Sequence, residues 1–345
     1  MEHLFEYLVF LGKAVTIVAA IIVVIVAIAS AVARQRHSDD EYLEVKPLNK
    51  RFEKLREALD ENLLPSAVLK QRHKRLQKEE KAKRKAEAKA AKASGGERTE
   101  ERRKHVYVVD FDGDIRASAV NQLREEVTAI LQVAKATDEV VVRLESPGGM
   151  VHGYGLAASQ LARIRDAGIP LVAAVDKVAA SGGYMMACVA NQIIAAPFAI
   201  IGSIGVVAQL PNFNKLLKQH NIDFEMITAG EHKRTLTVFG ENTDADRQKM
   251  QQEINEAHDL FKGFIHQYRQ QVDVDQVGTG EHWYGQQALD LQLVDRLTTS
   301  DDYLLAASKD ADLYQLSFHG KKPLLEKLLG SATRIWEHVA SRWQV

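Results

Sequence analysis

The sequence predicts an α/β domain with a largely parallel sheet, preceded by one membrane-spanning helix and a charged helical arm. Three observations carry this. From Val106 onward, short β-branched runs alternate with segments of helical spacing, the pattern of parallel strands joined by helices. Residues 14–33, AVTIVAAIIVVIVAIASAVA, are twenty residues without a charge, enough to cross ~30 Å of hydrocarbon as a helix. Between the two lies a stretch rich in Lys, Glu, Ala, Leu and Gln, all strong helix formers.

The elements follow in order. Glu2 and Glu6 precede the apolar run, and Arg34 and Arg36 follow it. A cleaved signal peptide would have a shorter apolar stretch behind a basic start, so residues 1–36 read as an uncleaved anchor in contact with membrane lipid. Residues 37–104 form the arm, helical or partly disordered, broken at Pro65 and closed by Ser94-Gly95-Gly96. Its 66–104 part holds fifteen Lys and Arg against six Glu, within a chain of net charge −1. Such a run reads as a solvated helix or linker before it reads as a surface for lipid or nucleic acid, and no nucleic-acid partner is expected. The main domain spans 105–318. VYVVDF (106–111), EVVVRLE (139–145) and LVAAVD (171–176) are strand patterns, and ITAGE (227–231) is a further one. Helical spacing covers 121–133, with Leu123, Val127, Ile130 and Leu131 on one side, then 151–167, 245–271 and 286–291. Residues 319–345 are a basic amphipathic segment that packs on an oligomer or lies on a membrane surface.

Between Lys177 and Lys215 there is no charged residue, and hydropathy alone suggests a second span near 185–208. Asn191, Gln192, Pro197, Gly202, Ser203 and Gly205 within it suit a buried helix, a turn and a buried strand better. The single cysteine, Cys188, excludes an intramolecular disulfide and reads as a packing residue. No P-loop and no metal-ligand cluster is present in the sequence, so no cofactor and no metal are expected.

Two glycine turns stand out. Ser146-Pro147-Gly148-Gly149 follows the strand ending at Glu145 and precedes a helix; backbone N–H groups there can face a developing negative oxygen. Ala179-Ala180-Ser181-Gly182-Gly183-Tyr184 follows the strand at 171–176, at the strand end where α/β proteins place ligands. Each alone also reads as an ordinary turn or helix cap. A nucleophilic serine needs a base, and His152, His232, His282 and Lys233 are all candidates that spacing does not separate. No Gly-x-Ser-x-Gly elbow occurs, which argues against an α/β-hydrolase.

The stretches LESPGGMVHGYGLAASQL (144–161), DKVAASGGYMMACVA (176–190), APFAIIGSIGVVAQ (196–209), TAGEHKRTLT (228–237) and TGEHWYGQQALDLQLVD (279–295) together resemble the signal peptide peptidase A family of serine peptidases, peptidase family S49. The resemblance covers about 106–300. It implies a Clp protease/crotonase-like domain of repeated ββα-type units. It also implies Ser181 as nucleophile, Lys233 as general base, Ser203 as the hydroxyl that orients the lysine, and the N–H groups of Gly148 or Gly149 with Gly182 as oxyanion hole. A free lysine has a pKa of ~10.4, so a lysine base must be desolvated to work. Gln292 departs from the family, which commonly has glycine before Leu-Val-Asp. By the same resemblance, the chain is a single-pass protein of the bacterial inner membrane. It would cleave membrane-associated peptides or unfolded proteins and form a homo-oligomeric ring whose sites are shared between protomers. The resemblance favours a periplasmic catalytic domain; Arg34, Arg36, Lys46, Lys50 and Arg51 behind the span point to the cytoplasm. A crotonase-type acyl-CoA enzyme, or a silent membrane scaffold, are the alternatives.

Overall fold

The computed structural model describes residues 41–65, 103–230 and 232–320, with Lys13, Thr16 and scattered residues of 67–85. The expected span 14–33 lies outside the described residues apart from Thr16, and the C-terminal segment does so from residue 321. Among the described residues no helix is long and apolar enough to cross a membrane. The chain order is β1 (Tyr42–Pro47), α1 (Leu48–Leu63), β2 (Lys104–Asp112), α2 (Val120–Val133), β3 (Glu139–Glu145), α3 (Val151–Asp166), β4 (Leu171–Val175), β5 (Val178–Ala180), α4 (Gly182–Ala187), β6 (Gln192–Ala195), β7 (Ile200–Gly202), α5 (Asn214–Gln219), α6 (Asp244–Tyr268), α7 (Val274–Val277), β8 (His282–Tyr284), α8 (Gly285–Asp290), β9 (Arg296–Leu297), α9 (Ser300–Ala307) and β10 (Ala311–His319).

This is an α/β fold with two sheets. The larger has seven strands in the order β1-β10-β2-β3-β4-β6-β9, and every pair from β10 to β9 is parallel. Its centre is β3, where Val140, Val141, Val142 and Leu144 are all buried. A strand buried on both faces needs a continuous apolar run instead of alternation, which is what EVVVRLE supplies. Each such side chain contributes about 1.5–3 kcal/mol by leaving water. On α2, Leu123, Val127 and Ile130 are buried as their spacing predicts, and Leu131 is half-buried. The helix packs on α3, which buries Tyr154, Ala157, Ala158, Leu161 and Ile164. The smaller sheet, β5-β7-β8, is mixed: β5 and β7 run parallel, β7 and β8 antiparallel.

Two stretches differ from what the sequence predicts, and the charge-free stretch agrees with it. The charge-free stretch folds into α4, β6 and β7, whose apolar residues fill the protein core; its hydropathy reflects that burial. The strand expected at 227–231 is absent from its described part, residues 227–230, which are exposed and irregular. Among the described residues no strand pairs with it, and Gly230 has a φ of +95°. The sheet also reaches back into the 37–104 segment. Leu48 joins the core with Val106, Val108 and Leu313. The Asn49 side chain donates to Ser308 O (3.1 Å) and Ala311 O (3.0 Å) and accepts from Leu313 N (2.7 Å). Residues 45–317 form one compact unit; just outside it His319 Nε2 lies 3.2 Å from Glu44 Oε2.

The segment after α8 is locked by a buried cation. Arg269, 2% exposed, reaches Asp295 at 2.7 and 2.9 Å and Gln292 O at 2.8 Å. The Asp295 side chain keeps 29% exposure, so what Arg269→Ala removes is a set of charge-assisted hydrogen bonds, and it lowers stability by about 2 kcal/mol in a urea titration. Gln292 itself sits at φ +58°, just past the C-cap of α8, where glycine carries no steric penalty. Gln292→Gly therefore raises stability by up to about 1 kcal/mol in the same assay.

Candidate active site

The smaller sheet places the serines. Parallel pairing sets Ala180 opposite Gly202, so Ser181 and Ser203 leave neighbouring strands at the same level. The Ser181 N–H donates to Gly202 O at 2.7 Å, and the Ser203 N–H donates to Glu281 O at 2.7 Å. Both serines have φ +52°. Ser181, at φ 52° and ψ −116°, is the residue before α4 and makes no side-chain cap bond to it. It is not an ordinary helix cap. A non-glycine residue in such a region costs ~1–3 kcal/mol and persists only where the surroundings impose it. A strained strand-to-helix turn of this kind is how hydrolases expose a nucleophilic serine. The sequence contains no elbow motif, and nothing in the residue order signals the strain.

The two glycine turns meet. Ser146 and Ala179 form a parallel bridge, with Ser146 N donating to Val178 O (2.8 Å) and Ala180 N to Ser146 O (3.0 Å). A Cβ on Gly148 (φ +89°) would lie 2.7 Å from Ala180 O and 2.7 Å from Ser181 Cβ. The structure therefore brings Gly148, Gly149, Ser181, Gly182 and Ser203 into one neighbourhood. Gly148 N–H donates to Ser146 Oγ at 3.1 Å. Among the described residues nothing accepts the N–H of Gly149 or of Gly182.

Lys233 makes no hydrogen bond to Ser181 within one chain. It is exposed, on the irregular segment between α5 and α6. Among the described residues no hydrogen bond or ion pair involves Ser181 Oγ, Ser203 Oγ or Lys233 Nζ, and none joins His152, His232 or His282 to Ser181. His282 does lie opposite Gly202 on β8. Lys177, four residues before Ser181, is paired with Glu145 at 2.9 Å; that hydrogen bond raises its pKa and holds it in the ammonium form, which cannot accept a proton. Asp114, on the loop after β2, is held below the usual carboxylate range by hydrogen bonds from Ser118. Among the described residues no group of three or more His, Cys, Asp or Glu could hold a metal ion.

Comparison with known proteins now bears on this site. Residues 2–161 match the model of the peptidase family S49 N-terminal region, and residues 163–314 match that of peptidase family S49. A protein of Haemophilus influenzae named "Probable protease SohB" is 50% identical over 93% of this chain and 90% of its own length. One of the same name from Buchnera aphidicola subsp. Acyrthosiphon pisum is 56% identical over 67% of this chain and 69% of its own. A solved structure of a membrane-bound stomatin-specific protease aligns with 67% of this chain and 99% of its own at 16% identity and a TM-score of 0.41, too low to bear on the site.

Cys188, the other potential nucleophile beside α4, is fully buried, and burial pushes its thiol far above the ordinary range. A thiol-specific reagent at pH 8 is expected to leave the native chain unlabelled and to react at once after denaturation; rapid labelling of the native chain overturns this.

Proposed function

The chain belongs to peptidase family S49 and is a protease, and from that premise we propose that it is a membrane-anchored serine endopeptidase working through a Ser181–Lys233 dyad. The observation that carries this reading is the strained Ser181 turn with two unclaimed glycine N–H groups beside it. In the proposed reaction the neutral Lys233 amine takes the Ser181 proton, and Oγ attacks the scissile carbonyl carbon. The N–H groups of Gly149 and Gly182 hold the oxyanion. The C–N bond breaks as the lysine returns its proton to the leaving amine. Water, deprotonated by the same lysine, then hydrolyses the acyl-enzyme. Ser203, on the strand beside Ser181, would orient the lysine.

A lysine serves as base only when its ammonium is stripped of water, and Lys233 is exposed in the single chain. The stretch between β7 and α6 that contains it also carries unburied apolar residues, among them Val207 at 78%, Ile227 at 96%, Phe213, Phe224 and Phe239, and α5 buries none of its residues. Large apolar side chains left in water, three of them clustered as rings, favour a partner. The partner in this reading is a second copy, whose Lys233 completes the site in a homo-oligomeric ring. The apolar run 14–33 would anchor that ring in the bacterial inner membrane, with catalysis on the periplasmic side. Substrates would be membrane-associated peptides or unfolded segments, without a cofactor.

Peptidase assays on the full chain test both parts. Ser181→Ala and Lys233→Ala each lower kcat/KM at least about a thousandfold while folding normally. Co-expressed, the two regain activity, because about one site in four in a randomly mixed ring pairs an intact serine with an intact lysine. Full activity in Lys233→Ala sinks the lysine base. Dead mixtures that nevertheless assemble sink the shared site.

A further inference from the structure

Beneath the Ser146–Gly149 turn runs a chain of hydrogen bonds that the dyad chemistry does not use. Tyr154 Oη donates to Asp114 O at 2.8 Å and lies 2.6 Å from Ser146 Oγ. Ser146 and Tyr154 are both fully buried. A phenol has one proton, and a carbonyl oxygen has none to offer. The Tyr154 proton is thus committed to Asp114 O, and Ser146 must be the donor in its contact with Tyr154. With its own proton so placed, Ser146 Oγ presents lone pairs to the turn, where it accepts the Gly148 N–H at 3.1 Å. The protons all point one way, from Gly148 through Ser146 and Tyr154 to the carbonyl of Asp114. Gly113 leaves room for this junction: a Cβ there would lie 2.4 Å from Ser146 Oγ and 2.5 Å from Tyr154 Oη.

The chain has two effects on the turn. It occupies the Gly148 N–H, which removes that group from the oxyanion donors and leaves Gly149 as the donor from this side. It also fixes the peptide planes, because Met150 N is held by Ile115 O at 2.8 Å on the far side. The same tyrosine backs the second donor: a Cβ on Gly182 would fall 2.3 Å from Tyr154 Cγ, so the ring lies flush against Gly182. One rigid side chain therefore sets the separation of the Gly149 and Gly182 N–H groups.

We propose that Ser146 and Tyr154 are positioning residues of the peptidase, holding the Gly149 and Gly182 N–H groups at the spacing the oxyanion requires. This rests on the Ser181 reading above. The test uses the full chain, a fluorogenic peptide and a peptide boronate, whose adduct with a serine carries a tetrahedral anion. In Ser146→Ala the Gly148 N–H loses its acceptor, and the turn keeps only its backbone anchors at Ser146 and Met150. We expect kcat to fall about 10- to 100-fold, less than or comparable to loss of a whole oxyanion donor, with KM within about twofold and boronate affinity weakened by the same factor as kcat. Tyr154→Phe keeps the ring against Gly182 and leaves Ser146 able to accept, so its loss is smaller in the same two readouts. An unchanged kcat in Ser146→Ala, or a fall in kcat with boronate affinity intact, overturns the proposal. Should Ser146→Ala fail to fold, Tyr154→Phe decides by the same criteria. Ser181→Ala separates the two levels: if it is active, the nucleophile reading fails; if it is dead while Ser146→Ala is unaffected, only the positioning role fails.

Discussion

Two backbone turns that touch without intervening side chains are the constraint on which the rest of the site depends. A Cβ on Gly183 would lie 2.6 Å from Ser146 O, one on Gly148 2.7 Å from Ala180 O, and one on Gly182 2.3 Å from the Tyr154 ring. Glycine on both sides of the joint is therefore a steric requirement. Because it is met, Ser146 and Ala179 can pair as a bridge that ties the end of β3 in the large sheet to β5 in the small one. The Ser181 turn is thereby fixed to the central strand of the large sheet, and its position inherits the rigidity of that core.

Fixity allows strain to persist. Ser181 and Ser203 both hold a φ of +52°, a conformation that costs an ordinary residue ~1–3 kcal/mol. Short backbone hydrogen bonds to Gly202 O and Glu281 O, 2.7 Å each, help to hold them there. The strain turns Ser181 out of the helix-capping role that its sequence position suggests, and among the described residues its hydroxyl has no hydrogen-bond partner. An enzyme gains from a nucleophile whose hydroxyl is not already consumed by its own fold.

The segment between β7 and α6 contrasts with this rigid half. It has one six-residue helix with no buried residue and shows several large apolar side chains to solvent. Its rings cluster among themselves, Phe213 and Phe224 each about a ring's width from Phe239 (6.2 and 5.9 Å). That local packing shapes the segment without covering it. One half of the proposed chemistry, the serine and the glycine donors, is thus complete within a chain; the other half, the lysine, stands on the part of the chain whose own packing is incomplete.

Much of this was legible in the residues. Runs such as EVVVRLE and LVAAVD can hardly be anything but buried parallel strands, because β-branched apolar side chains in unbroken succession suit a strand covered on both faces. The glycine turns announce close approach by composition alone. Other features depend on partners remote in sequence. ITAGE has the composition of a strand, but no neighbouring strand reaches it. Leu48 and Asn49 lie in a segment rich in charge, yet contacts more than 250 residues away along the chain draw them onto the sheet. The motifs pointed to Ser181, Gly148, Gly149 and Gly182; register placed Ser181 beside Ser203, packing set the Tyr154 ring under Gly182, and the Ser146 hydroxyl engaged the Gly148 N–H but not that of Gly149. Composition and periodicity are local properties and travel with the chain. Strain, donor availability and the meeting of two turns are properties of distance, which exists only once the chain has folded.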